Sequence, residues 1–587
     1  MGNFRKNAAA HPADAAHGEN TARGSGARPH KTDRRVLAWI LRVARPQLPT
    51  VAAIVLGEAL WAVLGTVTAL FSREIVNSAT DGLKTKMFLF LGIYLAVALT
   101  LIGVHSVMRY VTERCKAKLE ILFRGRLFEA MLTRSYPALK QHHTGELVNR
   151  LAGDVTVISD AATTILPNIV MMTVRLVAAM AVLIHLEWRF ALVFAVGGVL
   201  MFCSARLLKK RVQGYHRAMQ EKEGKACSFW QESLENLIVV KAFAGEKMSA
   251  HKSELLLEEH YKVRMKRSLV STLSMFGTSF VIRLGHIFAI GYGAFCLFSG
   301  TMDYGTLTAL TQLVSQVQQP FANMSGIMPR YYAALSSAER LMEMEELADD
   351  SVTGKETVDA AELYRRMKYI DVRGVEFAYD RDNVVLSGCS CRIHKGDFIS
   401  ITGMSGIGKS TLFKLLLDIY PKRAGELCLV SDTGRELPIN GDTRPLFAYV
   451  PQGNMLFSGT IRENLCFLAA ENADDEAIRK ALRCACADSF LDELPEGLDT
   501  VIGEQGVGLS EGQIQRLSVA RAILSGAPIL LFDEATSALD EATEAALLSN
   551  LRAMTDRTCV IVTHKKAALA ICNRHFVIRD RKIEETD

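Results

Sequence analysis

The chain has 587 residues, 49% of them hydrophobic, with 68 Lys and Arg against 63 Asp and Glu. That length is too great for one hydrophobic core, and the positive mean hydropathy of +0.15 is unusual for a soluble protein. The net charge of +5 gives no case for a nucleic-acid partner. The 12 cysteines form no dense disulfide framework. Cys389/Cys391 and Cys484/Cys486 are C-x-C pairs, closer than zinc ligands usually stand; they are expected to be small buried side chains.

Residues 1–35 have few large apolar side chains and no apolar run, so a disordered cytosolic tail is expected rather than a signal peptide. "MGNFRK" opens like a myristoylation site, but Lys6 stands where Ser or Thr is required. Asp14, Glu19 and Asp33 count against a transit peptide.

Apolar segments follow at Val51–Phe71, Met87–Val107, Ile165–Leu186, Phe190–Ala205, Met275–Phe298 and Leu307–Met328. Most approach the roughly 20 residues that cross a bilayer as a helix. The two long connections, about 110–161 and 206–274, are rich in Lys and Arg; the others are short, as at 77–86, 187–188 and 300–306. Basic loops stay cytoplasmic, so both termini are expected inside. The segment 116–132 is amphipathic and charged, the pattern of a helix continuing past the membrane.

The last span carries Gln312, Gln316, Gln319 and Asn323 at helical spacing, on one face. They make either inter-helix hydrogen bonds or the wall of a wet cavity, because unpaired amides in lipid are costly. Pro320 is a candidate kink. Glu58, His105, Arg175, Arg283 and His286 are ionisable groups within spans, where such residues usually face a bundle interior or a water path. Arg283 and His286 point the same way. They either pair structurally, for example with Glu58, or contact cargo, in which case Arg283 favours an anionic group.

Composition turns charged after about residue 336 and becomes alternating strands and helices from about 369. The domain expectation is therefore a tail at 1–35, a membrane domain at 36–335, a linker at 336–368 and an α/β domain at 369–587. "ISITGMSGIGKSTLFKLLLDIY" places Gly403-x-x-x-x-Gly408-Lys409-Ser410 between an apolar strand and a helix, the context a P-loop requires. Gly403, Ser405, Gly406, Gly408, Lys409, Ser410 and Thr411 are the candidate phosphate ligands. Lys409 reaches the β/γ-phosphates and the Ser410 hydroxyl binds Mg²⁺. "PILLFDEATSALD" ends a buried strand in Asp533, placed for the Mg²⁺ shell, and Glu534, placed to polarise water. "VIVTH" delivers His564 at a strand tip.

With "YVPQG" (449–453) and "LSEGQ" (509–513) in the same order, these motifs resemble the nucleotide-binding domain of ATP-binding cassette (ABC) transporters. Fused behind six spans, the chain resembles a bacterial-type ABC exporter half-transporter. The implied fold is multidomain: an all-α polytopic membrane domain of exporter type, followed by an α/β P-loop NTPase cassette. Segments 142–160 and 235–248 resemble the family's two cytoplasmic coupling segments, and 500–506 the segment that contacts them. By the resemblance, Tyr379 stacks on adenine, and Gln452 senses Mg²⁺ and the γ-phosphate. His564 contacts the γ-phosphate, and Asp540 links two sites of a dimer. Ser510, Gly512 and Gln513 close over ATP held by the opposite cassette.

The implied activity is ATP hydrolysis coupled to export across the cytoplasmic membrane, with ATP and Mg²⁺ as cofactors and catalysis resting on Glu534, His564, Lys409 and Gln452. Ser410, Gln452 and Asp533 are the metal set. One cassette per chain implies a partner half-transporter. The intact motifs favour a homodimer over a heterodimer, although Glu511 stands where the family usually has Gly. The cargo is a small molecule, lipid or peptide, with a lean toward peptide-like or amphipathic. Half of a heterodimeric multidrug or lipid exporter, or a membrane-bound regulatory ATPase, are the alternatives.

Overall fold

The computed structural model describes residues 32–350, 359–380, 383–453, 455–467, 474–503, 506 and 508–586. Most of the expected tail, the middle of the expected linker, and Glu504 and Gln505 of segment 500–506 lie outside the described residues, as does the side chain of Asn323. Two compact units divide the chain. The first holds the described residues up to 129 together with 144–345; the second holds 130–143 and those from 346 onward.

The first unit is all helix. A short amphipathic α1 (Thr32–Val43) precedes α2 (Leu48–Thr80) and α3 (Lys84–Thr133). At 1.5 Å per residue α3 is about 75 Å long, far more than a bilayer needs. The short α4 (Tyr136–Lys140) belongs to the second unit. Then come α5 (Thr144–Asn149), α6 (Val155–Asp160), α7 (Leu166–Glu235), α8 (Leu237–Ala242), α9 (Glu246–Phe298) and α10 (Tyr304–Glu345). A helix covers each expected span. Two spans lie within α7, which breaks at the expected short connection: Glu187 takes φ −162° and ψ 98°. Among the described residues, four stretches are long and apolar enough to cross a membrane by length and composition: 45–80, 84–133, 144–198 and 246–298, the third including the start of the fourth expected span.

The bundle core explains the mixed character of α10. Ala309, Leu310, Leu313, Val314 and Val317 are buried against Ala179 and Leu183, Phe190 and Phe194, and Ala289. The amides lie on the adjacent face. Below the spans, π-helical turns flank α6 at Arg150–Asp154 and Ala161–Ile165. Asp154, 4% exposed, accepts from Ser337 Oγ at 2.8 Å and Arg340 Nε at 2.8 Å. Arg150 donates to the Arg340 carbonyl at 2.8 Å. These bonds tie much of segment 142–160 to the end of α10, inside the first unit. The residues that join the second unit are 130–143, sharing only His142 and His143 with that segment.

In the second unit, α11 (Ala360–Arg366) leads into β1 (Met367–Ala378), β2 (Val384–His394), β3 (Phe398–Thr402), α12 (Lys409–Leu416), β4 (Ala424–Ser431), β5 (Glu436–Pro438) and β6 (Phe447–Val450). A small pair, β7 (Gly459–Thr460) and β8 (Val501–Ile502), encloses α13 (Ile461–Cys466), α14 (Asp475–Cys484) and α15 (Asp488–Leu491). The chain ends with α16 (Glu511–Leu524), β9 (Ile529–Asp533), α17 (Glu541–Arg552), β10 (Thr558–Val562), α18 (Lys566–Ile571), β11 (Arg574–Arg579) and β12 (Lys582–Thr586). The main sheet has the order β12-β11-β3-β10-β9-β6, parallel except for β12. An antiparallel sheet runs β2-β1-β4-β5.

The mainly apolar sequences of β3, β9 and β10 follow from burial on both faces. Ile399, Ile401, Ile529, Leu531, Val560 and Val562 enter one core, with α12 and the antiparallel sheet. Phe398, Leu530, Phe532, Cys559 and Ile561 enter the other, with α14, α16 and α17. Leu531 is 0% exposed, so Leu531→Ala would leave a cavity worth about 2–5 kcal/mol.

Candidate functional site

Four adjacent parallel strands, β3, β10, β9 and β6, end at the same edge of the main sheet. Ligands of open α/β sheets bind beyond the carboxyl ends of the strands. Beyond these four ends stand the P-loop, His564, Asp533 with Glu534, and Gln452. Residues more than 150 positions apart in sequence therefore meet.

The P-loop leaves β3 at Gly403, whose φ is +144°. A Cβ there would stand 2.7 Å from the Ile578 carbonyl oxygen, so only glycine fits. Lys409, 6% exposed, donates from Nζ to the Gly403 and Met404 carbonyls at 2.6 and 3.2 Å, and to His564 Nε2 at 3.0 Å. Acceptance at Nε2 puts the His564 proton on Nδ1. Ser405 and Gly406 lie exposed in the loop, and Ser410 and Thr411 form the first turn of α12. An anion at this helix start meets both free backbone N–H groups and the Lys409 charge.

Asp533 is 2% exposed and accepts from Tyr449 Oη at 3.1 Å. Burial first, then the Asp533 charge, hold the Tyr449 phenol above its ordinary pKa, so it stays a donor. Glu534 takes φ +53°, the left-handed region that a non-glycine rarely adopts. Its backbone N–H donates to the Val562 carbonyl of β10 at 3.1 Å, and its Oε2 accepts from Gln452 Nε2 at 2.8 Å. The Gln452 amide oxygen stays available. Hydroxyl, carboxylate and amide oxygens are hard donors of the kind Mg²⁺ takes, so Ser410, Asp533 and Gln452 fit that ion.

Tyr379, 41% exposed, bonds Thr411 Oγ1 through its hydroxyl at 3.0 Å. Its ring meets Tyr420 edge-on at 5.2 Å. Tyr420 in turn meets Tyr136 of α4 at 5.7 Å. The candidate adenine platform and the 130–143 segment thus share one aromatic row. That segment is further fixed by Ser135 N–H donating to the Ala348 carbonyl and Asp350 N–H to the Thr133 carbonyl, both at 2.9 Å. Arg444 holds the Asp350 carboxylate through Nη1 and Nη2 at 2.6 and 2.8 Å.

The signature residues stand apart from this cluster. Ser510 caps α16: Gln513 N–H donates to Ser510 Oγ at 3.3 Å, and Ser510 N–H donates to Gln513 Oε1 at 2.8 Å. Such a cap is worth about 1 kcal/mol. Gly512 has its own reason to be glycine, since a Cβ would stand 3.1 Å from the Ala538 carbonyl oxygen. Glu511 is exposed at the same helix start. Among the described residues no hydrogen bond joins Ser510 or Gln513 to the P-loop. Asp540 caps α17 by accepting from Thr543 N–H at 2.9 Å, a bond that holds its carboxyl below the ordinary pKa.

Three residues without a role in the sequence reading belong to this framework. Tyr449 sits within the quoted "YVPQG" but is identified only by its bond to Asp533. Gln515 donates to Ser537 Oγ at 2.9 Å and accepts from Ala538 N–H at 3.0 Å. Lys565 donates to the Thr536 and Leu539 carbonyls, both at 2.8 Å. Gln515 and Lys565 clamp the stretch after Glu534 between the signature helix and the His564 strand.

In the membrane unit the amide stripe resolves into individual bonds. Gln312 donates to Ser72 Oγ at 3.3 Å; Gln316 donates to the Gly65 carbonyl at 3.1 Å and accepts from Thr66 Oγ1 at 3.0 Å. Those two amides bond α10 to α2 and are inter-helix contacts. Gln319 accepts from Arg175 Nη1 at 2.6 Å. Glu58 pairs with neither Arg283 nor His286 among the described residues. Its α2 neighbour Trp61 stands 5.6 Å from the His105 ring and lies under the Arg175 guanidinium at 5.3 Å.

Residues 50–321 match the family described as ABC transporter transmembrane region, and residues 386–537 the family described as ABC transporter. An ATP-dependent lipid A-core flippase of Syntrophus aciditrophicus (strain SB) is 29% identical over 486 residues, covering 81% of this chain and 78% of that protein. A Staphylococcus aureus (strain NCTC 8325 / PS 47) protein named for multidrug export is 28% identical over 524 residues, 88% of each chain. The solved structure of a bacterial Atm1-family ABC exporter with ATP bound shares the fold at a TM-score of 0.78 and 23% identity, over 91% of this chain and 95% of that one.

Proposed function

The chain belongs to the ABC transporters as an ATP-hydrolysing exporter half-transporter, and from that premise we propose that two copies use ATP to move an amphipathic or peptide-like cargo outward across the cytoplasmic membrane. The carrying observation is the meeting of Lys409, His564, Asp533, Glu534 and Gln452 at the ends of four adjacent strands.

The reaction is ATP + water → ADP + phosphate. The P-loop N–H groups and Lys409 bind the β/γ-phosphates. Ser410, Asp533 and Gln452 would hold Mg²⁺, which when bound neutralises phosphate charge. Glu534 orients and polarises the attacking water, and Gln452 holds the Glu534 carboxylate in place. His564 stands beside Lys409, placed for a γ-phosphate contact. Tyr379 offers its ring to adenine.

Two features support a dimer. Ser510, Gly512 and Gln513 lie outside the chain's own P-loop cluster, as a sandwich with a second cassette requires. The second expected coupling segment, 235–248, carries α8 with Ile238 79% and Phe243 83% exposed, apolar groups suited to a partner cassette. A homodimer is the simpler assembly because every motif on the P-loop side is intact; pairing with a different half-transporter is the alternative. Lipid flippases among the relatives are a reason to try lipids first.

The test is the chain expressed alone, sized by mass and placed in proteoliposomes. A mass of two copies and ATP-dependent movement of a fluorescent lipid or amphiphile are expected. ATP turnover with no cargo moved, across lipids, peptides and drugs, would favour a regulatory ATPase instead.

A further inference from the structure

Arg175 is a cation at the middle of a span. It lies ten residues from Ile165 and eleven from Leu186, so about 15 Å of apolar helix separates it from either surface. A charge at that depth is expensive and calls for a counter-charge. None is supplied by the described residues. Gln319, a neutral amide, takes Nη1, and Trp61 takes the guanidinium face. Nε is buried without any hydrogen-bond partner.

The geometry leaves a specific edge of the guanidinium unused. With Nη1 on Gln319, the remaining donors Nε and Nη2 form the side-on fork that matches two oxygens of a phosphate or carboxylate. Gly65 stands beside this edge: a Cβ added there would lie 4.0 Å from Nη2. Trp61 on α2 covers one face of the group with apolar surface, and Met171 lies one helical turn from Arg175 along α7. The other cation considered for this role, Arg283, is exposed on α9, with no buried unpartnered donor of its own.

We infer that Arg175, held by Gln319 and Trp61, is the recognition site for the single anionic headgroup of an amphiphilic cargo, a phosphate or carboxylate on an apolar tail. This rests on the exporter reading and narrows its cargo class. Depth excludes ordinary bilayer headgroups, which stay at the surface; an anion that reaches Arg175 is one being moved. The Nε–Nη2 edge fixes the headgroup as a two-oxygen acceptor, and Trp61 and Met171 meet the adjoining methylenes.

The experiment measures equilibrium binding of labelled dodecyl phosphate to the full chain in phosphatidylcholine nanodiscs without ATP. Dodecyltrimethylammonium and butyl phosphate serve as competitors. Dodecyl phosphate is expected to bind at least tenfold tighter than either. Arg175→Gln should weaken it at least tenfold, Arg175→Lys should recover part of that loss, and Arg189→Gln should leave it within twofold. Unchanged binding in Arg175→Gln, or equal affinity for the cationic probe, would overturn the assignment. Equal competition by butyl phosphate would also overturn it, by showing a site for soluble anions. ATP turnover by the unmodified chain is measured alongside. Its loss would count against the exporter reading, whereas failure of the binding arms alone counts only against Arg175.

Discussion

The cassette and the membrane unit handle charge in opposite ways. In the cassette, acids and bases from distant positions are delivered by strand ends to one edge and meet each other. In the membrane unit, polar groups on long helices meet pairwise, as Gln316 meets Gly65 and Thr66, and among the described residues Arg175 bonds a neutral amide rather than an acid. In the proposed function the converging charge acts on ATP, and the unmatched charge is the one inferred to meet the cargo.

The sharpest way to break that comparison is to remove the carboxylate proposed to polarise water. Glu534→Gln should lower ATP turnover about 10²–10⁴-fold while the purified protein still binds ATP. Wild-type turnover in that variant would mean the strand edge is not the reacting centre. Next in size is the bond that orients Asp533. Tyr449→Phe should raise the Mg²⁺ concentration for half-maximal turnover about 10–100-fold, the usual cost of losing a ligand's supporting bond. Titrating Mg²⁺ at saturating ATP checks this, and an unchanged curve would confine Tyr449 to packing.

The third variant addresses the traffic between the two regions. Phe243→Asp, in the turn just after α8, should cut ATP-driven transport at least tenfold, roughly 1.4 kcal/mol of coupling, and should leave ATP binding intact. Transport at the wild-type rate would show that α8 faces only water. Glu511→Gly should be smallest. The carboxylate is exposed at the start of α16, so turnover should change by less than about tenfold, or ~1.4 kcal/mol of barrier. A larger change would make the signature loop, rather than the strand edge, the tuned part of the cassette.

Much of the cassette is legible in sequence because its functional residues sit at fixed offsets from apolar strands. The P-loop, Asp533, Glu534 and His564 each follow a run of buried residues, and the parallel sheet converts those ends into one place. Tyr449, Gln515 and Lys565 are not legible, because their partners are set by three-dimensional neighbours rather than by spacing. The same limit governs the membrane unit. Periodicity correctly groups Gln312, Gln316 and Gln319 on one face of α10, but periodicity within one helix cannot say what the facing helices offer. Two of those amides meet α2 and the third meets Arg175. Of the two alternatives for Arg283 and His286, pairing with Glu58 is not found among the described residues, for the same reason. Segment 142–160 is placed by its Arg150 and Asp154 bonds to α10, whereas Tyr136, just upstream, meets Tyr420 edge-on in the cassette unit.

A shared ATP site requires two cassettes acting together, one chain's P-loop against the other's signature. Mixing wild-type and Glu534→Gln chains in varied ratio before reconstitution tests this directly. Two interdependent sites predict that ATP turnover falls more steeply than the wild-type fraction. A fall in simple proportion to that fraction would mean each chain hydrolyses ATP by itself, and would contradict the shared site.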